Sequence, residues 1–247
     1  MQVESKEDKS VFWVIINRPE KANAIDQGMW KQLAEKLDEG ALADSARVIA
    51  LTGKGKYFSA GADMADIASA ANQTAAFEFL LGRIRPVFDR ILRSPKPVVA
   101  AVNGPAIGGG AELVFACDMA VANRDAYFSL AQGRYGIGPS LGLTLGVPVI
   151  GRKRLADMAL TERRVDAMEA ERWGLINSIA KGSLESEVEK LAEYISETPP
   201  TLIRAMKEVL LRQMSLAGYE SAFSYFAMFS QSQETKAGTA RFFSKKK

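Results

Sequence analysis

Residues 100–118 read AAVNGPAIGGGAELVFACD. The apolar, β-branched run 97–102 leads in and reads as a buried strand. Asn103-Gly104-Pro105 is a turn signal. Gly108-Gly109-Gly110 follows, and residues 111–117 continue as apolar, helix-forming sequence. A strand thus passes through a glycine loop into a helix N-terminus. Backbone N–H groups there lack intrahelical partners, and the helix dipole adds partial positive charge. Successive glycines let a second backbone or a ligand come close. Glu112 lies in the first helical turn, where a carboxylate either complements the dipole or does chemistry. The run is not a P-loop, because no Gly-Lys-Ser/Thr follows, and it lacks the dinucleotide G-x-G-x-x-G spacing.

A second stretch, YFSAGADMADI at 57–67, has the same design. It follows the apolar run 48–52 and a Gly/Lys turn, and it combines small residues, a glycine and helix-forming sequence. Two such turns, each presenting a backbone N–H to one oxygen, make an oxyanion hole.

The two stretches together resemble the crotonase (enoyl-CoA hydratase/isomerase) superfamily. NRPEKANA at 17–24 resembles its N-terminal CoA-binding turn, FSAGAD its first oxyanion loop and NGPAIGGGAELVFACD its second. The resemblance continues through GLINSIA at 174–180 and TPPTLIRAMKEVL at 198–210, so it spans nearly the whole chain. It implies an α/β fold: a crotonase-like spiral of ββα turns over residues 1–197, then a C-terminal helical oligomerisation segment over 198–247 that builds trimers or hexamers.

Composition agrees with a globular protein that has a large core. The 247 residues are 47% hydrophobic and 25% charged, with a net charge of +3 that does not by itself imply nucleic acid. One cysteine, Cys117, excludes an internal disulfide and reads as an inert core thiol. The absence of histidine excludes Ser-His and Cys-His catalysis and argues against a zinc site. No apolar run reaches the roughly 18 residues of a membrane span, and the polar residues 1–9 lack a signal-peptide pattern. A cytoplasmic protein is expected.

Along the chain, residues 1–9 read as a frayed lead-in, and 11–16 as a strand. Asp26 is placed to cap a helix whose apolar face is Trp30, Leu33, Ala34 and Leu37. Residues 72–93 read as one long helix that Pro86 kinks or splits. Short strands are expected at 119–122, 126–130 and 176–180, and helices at 155–160, 167–173 (capped by Asp166) and 184–195. The glycine-rich segment 133–146 reads as a loop and short helix walling a pocket. Only helical sequence follows Thr198, with an aromatic-rich stretch at 219–229 and a lysine run at 245–247.

The resemblance implies an acyl-CoA substrate, with coenzyme A as part of the substrate and no separate cofactor. Carried over residue by residue, it puts the amides of Ala62 and Gly109 around the thioester oxygen. It puts Lys21, Ala22, Ala24, Ala60, Asp63 and Met64 along the CoA channel, with Phe242 and Lys245 closing it, and it makes Glu112 an acid/base. Polarising the thioester stabilises an enolate, so a modest base can move a proton at the α-carbon. Hydratases of this family use two glutamates around one water, and here the second position is Gln132. Glutamine can orient a water but cannot take up a proton at neutral pH, and there is no Asp or Glu between Asp125 and Asp157. One acid/base is therefore expected. The first reading is an enoyl-CoA hydratase-like lyase. The second is a one-base enoyl-CoA isomerase, and a reading of another class is a non-catalytic CoA- or RNA-binding relative. Against RNA, no Arg/Lys stripe with interleaved aromatics appears.

Overall fold

The structure is a computed structural model and describes residues 2–244; the lysine run, Lys245 included, lies outside the described residues. Nine strands and the helices between them follow in the expected α/β alternation. In chain order they are β1 (Val3–Asp8), β2 (Val11–Ile16), α1 (Gln27–Leu42), β3 (Val48–Gly53), α2 (Met64–Ser69), α3 (Gln73–Phe79), α4 (Arg85–Arg93), β4 (Val98–Val102), β5 (Ala106–Ile107), α5 (Gly109–Ala116), β6 (Met119–Ala122) and β7 (Tyr127–Ser129). Then come α6 (Ser140–Ile150), α7 (Arg152–Thr161), β8 (Val165–Asp166), α8 (Ala167–Trp173), β9 (Ser178–Ile179), α9 (Leu184–Ser196), α10 (Pro200–Arg212), α11 (Leu216–Ser230) and α12 (Gln233–Ser244).

Six strands form the main sheet in the order β1-β2-β3-β4-β6-β9, parallel except for β1 against β2. The central strands are apolar on both faces, as a covered parallel sheet requires. Phe12, Val14, Ile16, Ile49, Leu51, Val98, Ala100 and Val102 enter the larger core with α1 and α4. The alternate residues Val11, Trp13, Val48, Ala50, Val99 and Ala101 face Leu184, Val188 and Ala192 of α9. Period-two alternation thus sorts one strand's side chains into two cores. A small second sheet, β5-β7-β8, stands beside the first.

Asp26 caps α1 by accepting from Met29 N at 3.0 Å, and Asp166 caps α8 by accepting from Glu169 N at 2.8 Å. Trp30, Leu33, Ala34 and Leu37 are buried as the helical period requires.

Two expectations are corrected. Residues 3–8 are a strand, not a frayed lead-in: β1 is a polar edge strand held by its backbone pairing to β2 through the tight turn at Lys9, whose φ is 53°. The stretch 72–93 is not one α-helix interrupted at Pro86: α3 and α4 are separated by residues 80–84. A π-helical turn, Leu80–Ile84, absorbs the change of register just before Pro86, which then sits in the first turn of α4, where its missing N–H is harmless.

The C-terminal helices fold back over the molecule. α11 packs on α3 and α6, and α12 packs on α2 and the 3-10 turn Gly133–Tyr135. α10 differs: of its residues only Lys207 is buried, while Leu202, Met206, Val209 and Leu210 stand 47–66% exposed. Lys207 reaches inward to pair with Asp118, which also accepts from Val98 N at 2.7 Å. This ion pair ties α10 to the end of the glycine-loop helix and the start of β4.

Candidate active site

The two amide turns meet. β3 leads into loop 54–63, which is laced to its surroundings by backbone hydrogen bonds. Phe58 N donates to Pro105 O (3.1 Å), Ala60 N to Ala22 O (3.0 Å), Ile107 N to Ser59 O (2.9 Å) and Asp63 N to Ile25 O (2.9 Å). Two buried side chains complete the lacing. Asn23 donates to Lys54 O and Tyr57 O, and Ser59 Oγ donates to Asn23 O while accepting from Gly61 N. Ile25 uses the carbonyl of Gly61 and the amide of Asp63. Successive amides alternate sides in extended chain, so the N–H of Ala62 points away from Ile25, and a Cβ on Gly109 would lie 3.4 Å from its nitrogen.

Gly109 is the first residue of α5, so its own N–H has no intrahelical acceptor. A Cβ on Gly61, whose φ is +81°, would lie 2.5 Å from the Gly109 nitrogen, and one on Gly110 would collide with the Ser59 carbonyl. Only glycine at both places lets the backbones close to this separation. Neither Ala62 N nor Gly109 N donates to an acceptor among the described residues. The arrangement can hold one anionic or polarised oxygen between two N–H groups.

Both turns open on a cavity of about 750 Å³. Every residue carried over from the resemblance and described here lines it. Lys21, Ala22, Ala24, Ala60, Asp63 and Met64 line its mouth, Ala62 and Gly109 the amide turns, and Glu112 and Gln132 the interior, with Phe242 on the wall that α12 supplies. Arg18, which the sequence reading passed over, fixes the mouth. It donates to Asp63 at 2.7 Å and to Ala24 O at 3.2 Å. Burial pushes the Asp63 carboxyl up, but the Ala65 amide and Arg18 outweigh it and leave it below the usual carboxylate range.

Glu112 is 5% exposed. Gly142 N donates to its Oε1 at 2.8 Å, and among the described residues no cation pairs with it. Burial therefore dominates and pushes its carboxyl up to about 7, against the restraining Gly142 hydrogen bond. A carboxyl balanced near neutrality can both accept and return a proton. Burial also raises the Cys117 thiol, in keeping with an inert core residue.

Gln132 precedes the turn Gly133–Tyr135, and its Oε1 is buried without a hydrogen-bond partner. The turn is gripped from two sides. Thr235 Oγ1 of α12 donates to Gly136 O at 2.8 Å, and Arg134 donates to Glu162 at 2.7 Å. Glu162 is a further carboxylate on the cavity wall, which sequence reasoning missed because it comes from outside the window between Asp125 and Asp157. It ends α7 with a φ of 53°, and its carboxylate occupies the space that a side chain at Gly133 would fill. Nothing in the local sequence signals that contact.

The raised Glu112 carboxyl has a consequence for stability. The folded protein keeps a proton that the unfolded chain releases near 4.5, so stability is fully present below that pH and is lost as pH rises through about 7. Glu112→Gln keeps the acceptor for Gly142 and removes the ionisation. Denaturant titration should show the variant more stable than wild type at pH 8, by up to about 3 kcal/mol, with the gap closing at pH 4.5 or below. A gap independent of pH would contradict a desolvated, ionising Glu112.

A sequence model described as enoyl-CoA hydratase/isomerase matches residues 6–247. The peroxisomal Δ(3,5)-Δ(2,4)-dienoyl-CoA isomerase of Arabidopsis thaliana is 32% identical over 233 residues, covering 89% of this chain and 84% of that protein. The 2,3-dehydroadipyl-CoA hydratase of Escherichia coli K12 is 29% identical over 242 residues, covering 96% and 93%. The crystal structure of an enoyl-CoA hydratase/isomerase from Mycobacterium paratuberculosis superimposes with a TM-score of 0.88 at 26% identity, over 97% of this chain and 98% of that one. Among the described residues no helix is long and apolar enough to cross a membrane. The α/β backbone, the paired amide turns and these likenesses agree: the chain has the crotonase fold and belongs to the enoyl-CoA hydratase/isomerase family.

Proposed function

We propose that the protein is an enoyl-CoA hydratase-like lyase that uses one carboxylate. The observation that carries this is Glu112, buried and balanced near neutrality, on the helix whose first amide faces that of Ala62. The CoA moiety runs past Lys21, Ala22, Ala24, Ala60, Asp63 and Met64, and the thioester oxygen sits between the N–H groups of Ala62 and Gly109. The Gln132 side chain, which lines the cavity, holds one O–H of a water whose oxygen is aimed at the β-carbon. As the C–O bond forms, the other water proton passes to the Glu112 carboxylate and the double-bond electrons move onto the thioester. The oxyanion hole holds that enolate until Glu112 returns the proton to the α-carbon. The sum is addition of H and OH, with Glu112 restored.

A second reading uses the same residues without water. Glu112 alone removes a proton from one carbon of the enolised thioester and returns it to another, which shifts the double bond. The lack of a basic group at position 132 favours it, and the curated relatives include both hydratases and isomerases. The non-catalytic reading has no such support in the geometry. A cytoplasmic location remains part of the proposal.

Glu112→Gln should lower turnover on the best enoyl-CoA by roughly 10²–10⁴-fold, with little change in acyl-CoA affinity. Gln132→Glu, nearly isosteric, should raise hydration of crotonyl-CoA by roughly 10²-fold. Full activity in the first variant would remove Glu112 from the mechanism. No gain in a folded, CoA-binding second variant would show that position 132 does not face the reacting carbons.

The exposed apolar face of α10 motivates the assembly. Leu202, Met206, Val209 and Leu210 form a surface that the described residues leave exposed, so residues 198–247 are proposed as the oligomerisation segment of a trimer or a hexamer. Sedimentation at micromolar concentration should give a multiple of three, and a monomer would contradict it.

A further inference from the structure

No hydrogen bond among the described residues holds the side-chain oxygen of Gln132. The side chain lies against the glycine loop, where a Cβ on Gly108 would come 3.4 Å from its Cδ. Its place is therefore set by the backbone that carries it. That backbone is a closed turn. Tyr135 N and Ile137 N both donate to Gln132 O, at 3.0 and 3.1 Å, and Gly136 N donates to Gly133 O at 2.8 Å. Whatever holds residues 135–137 also holds Gln132.

The element that holds them is α12. Thr235, Gly238 and Phe242 share one helical face, at spacing i, i+3 and i+7, and that face seats on the turn. Thr235 is 2% exposed, and its Oγ1 lies 2.8 Å from Gly136 O and 2.7 Å from Phe229 O, so one hydroxyl proton serves the turn and the end of α11. A Cβ on Gly136, whose φ is +77°, would lie 2.4 Å from Thr235 N, and one on Gly238 would lie 2.4 Å from Tyr135 O. Two backbones touch here through facing glycines, as they do at Gly61 and Gly109. One turn further on, the rings of Phe242 and Tyr135 meet edge to face at 5.5 Å. α12 also packs on α2, the helix that follows Ala62 and Asp63. A single helix thus spans the Gln132 turn and the segment after the first amide turn. Side chains alone would suffice to cover a cavity; contact between backbones fixes distances.

We infer that Thr235 and Gly238 are positioning residues: they seat α12 flush on the turn and so hold Gln132 where its side chain orients the water. The inference rests on the proposed hydration and adds to it residues outside the reacting groups.

The test uses the full chain. Gly238→Ala places a methyl against the Tyr135 backbone. Thr235→Val keeps the shape and removes the O–H, and Thr235→Ser is the conservative control. Hydration of crotonyl-CoA reads Gln132. Exchange of the α-protons of butyryl-CoA in D₂O reads Glu112 and the amide turns, and calorimetry reads the affinity for butyryl-CoA. The kcat for hydration should fall about tenfold in Gly238→Ala and in Thr235→Val, with exchange and affinity within about twofold of wild type and Thr235→Ser close to wild type throughout. In a Gln132→Ala background the same changes should cost nothing further. Where Gly238→Ala does not fold, Thr235→Val carries the test. Unchanged hydration in the folded variants overturns the assignment. So does a fall shared by hydration, exchange and affinity, or a loss of full size in the Gln132→Ala background. If wild type hydrates no enoyl ester, the proposed reaction fails on its own, and the seat is read from the side-chain amide resonance of Gln132 in ¹⁵N-glutamine-labelled protein, assigned by its absence in Gln132→Glu. A shifted or broadened resonance in the variants supports the assignment, and an unchanged one overturns it.

Discussion

The molecule depends on how closely two backbones can approach. The loop around Gly61 and the first turn of α5 touch with no side chain between them. Ser59 and Ile107 bridge the two by a hydrogen bond, and Ile25 holds the far side of the same loop. Most of the neighbouring structure serves this contact. β3 and β4 deliver the two turns from adjacent positions in one sheet. Asn23 replaces missing sheet bonds along the first turn, and Asn103 does the same by accepting from Gly53 N and donating to Gly55 O. The outcome is two N–H groups, on Ala62 and Gly109, that the fold leaves unpaired on the wall of a cavity.

A second consequence is electrostatic. The helix that presents Gly109 also carries Glu112, one turn on, into a buried position, where none of the ion pairs among the described residues includes it. The same burial that makes the carboxyl stay protonated up to near neutrality makes the ionised form costly to the fold. On the proposed mechanism, activity and stability therefore pull in opposite directions at this residue. The ion pair of buried Lys207 with the more exposed Asp118 sits just beyond the other end of that helix and has the opposite character, because each charge there has its partner.

What was legible in the sequence was what repeats or what stands out by residue type. The β-branched runs 11–16, 48–53 and 98–102 announce two-sided burial, and the glycine turns announce close approach. Gln132 is visible as a departure because its identity alone limits its chemistry. The polar strand β1 was not legible, since its place is fixed by backbone bonds to β2 and not by its side chains. The π-helical turn was hidden because Pro86 signals a disturbance without saying how it is absorbed. Arg18 and Glu162 were missed for a common reason. Each reads as an ordinary residue of a turn or a helix end, and acquires meaning only from a neighbour far away in sequence. Arg18 finds Asp63, and Glu162 finds Gly133 and Arg134.

The central claim is that the amides of Ala62 and Gly109 polarise a thioester carbonyl. The most direct measurement is the carbonyl stretching frequency of crotonyl-CoA bound to the protein, isolated by difference infrared spectroscopy with a ¹³C label at the thioester carbon. The account predicts a bound frequency well below that of the same ester free in water, because two fixed donors in an enclosed site weaken the C=O bond more than solvent does. A bound frequency equal to or above the value in water would contradict it.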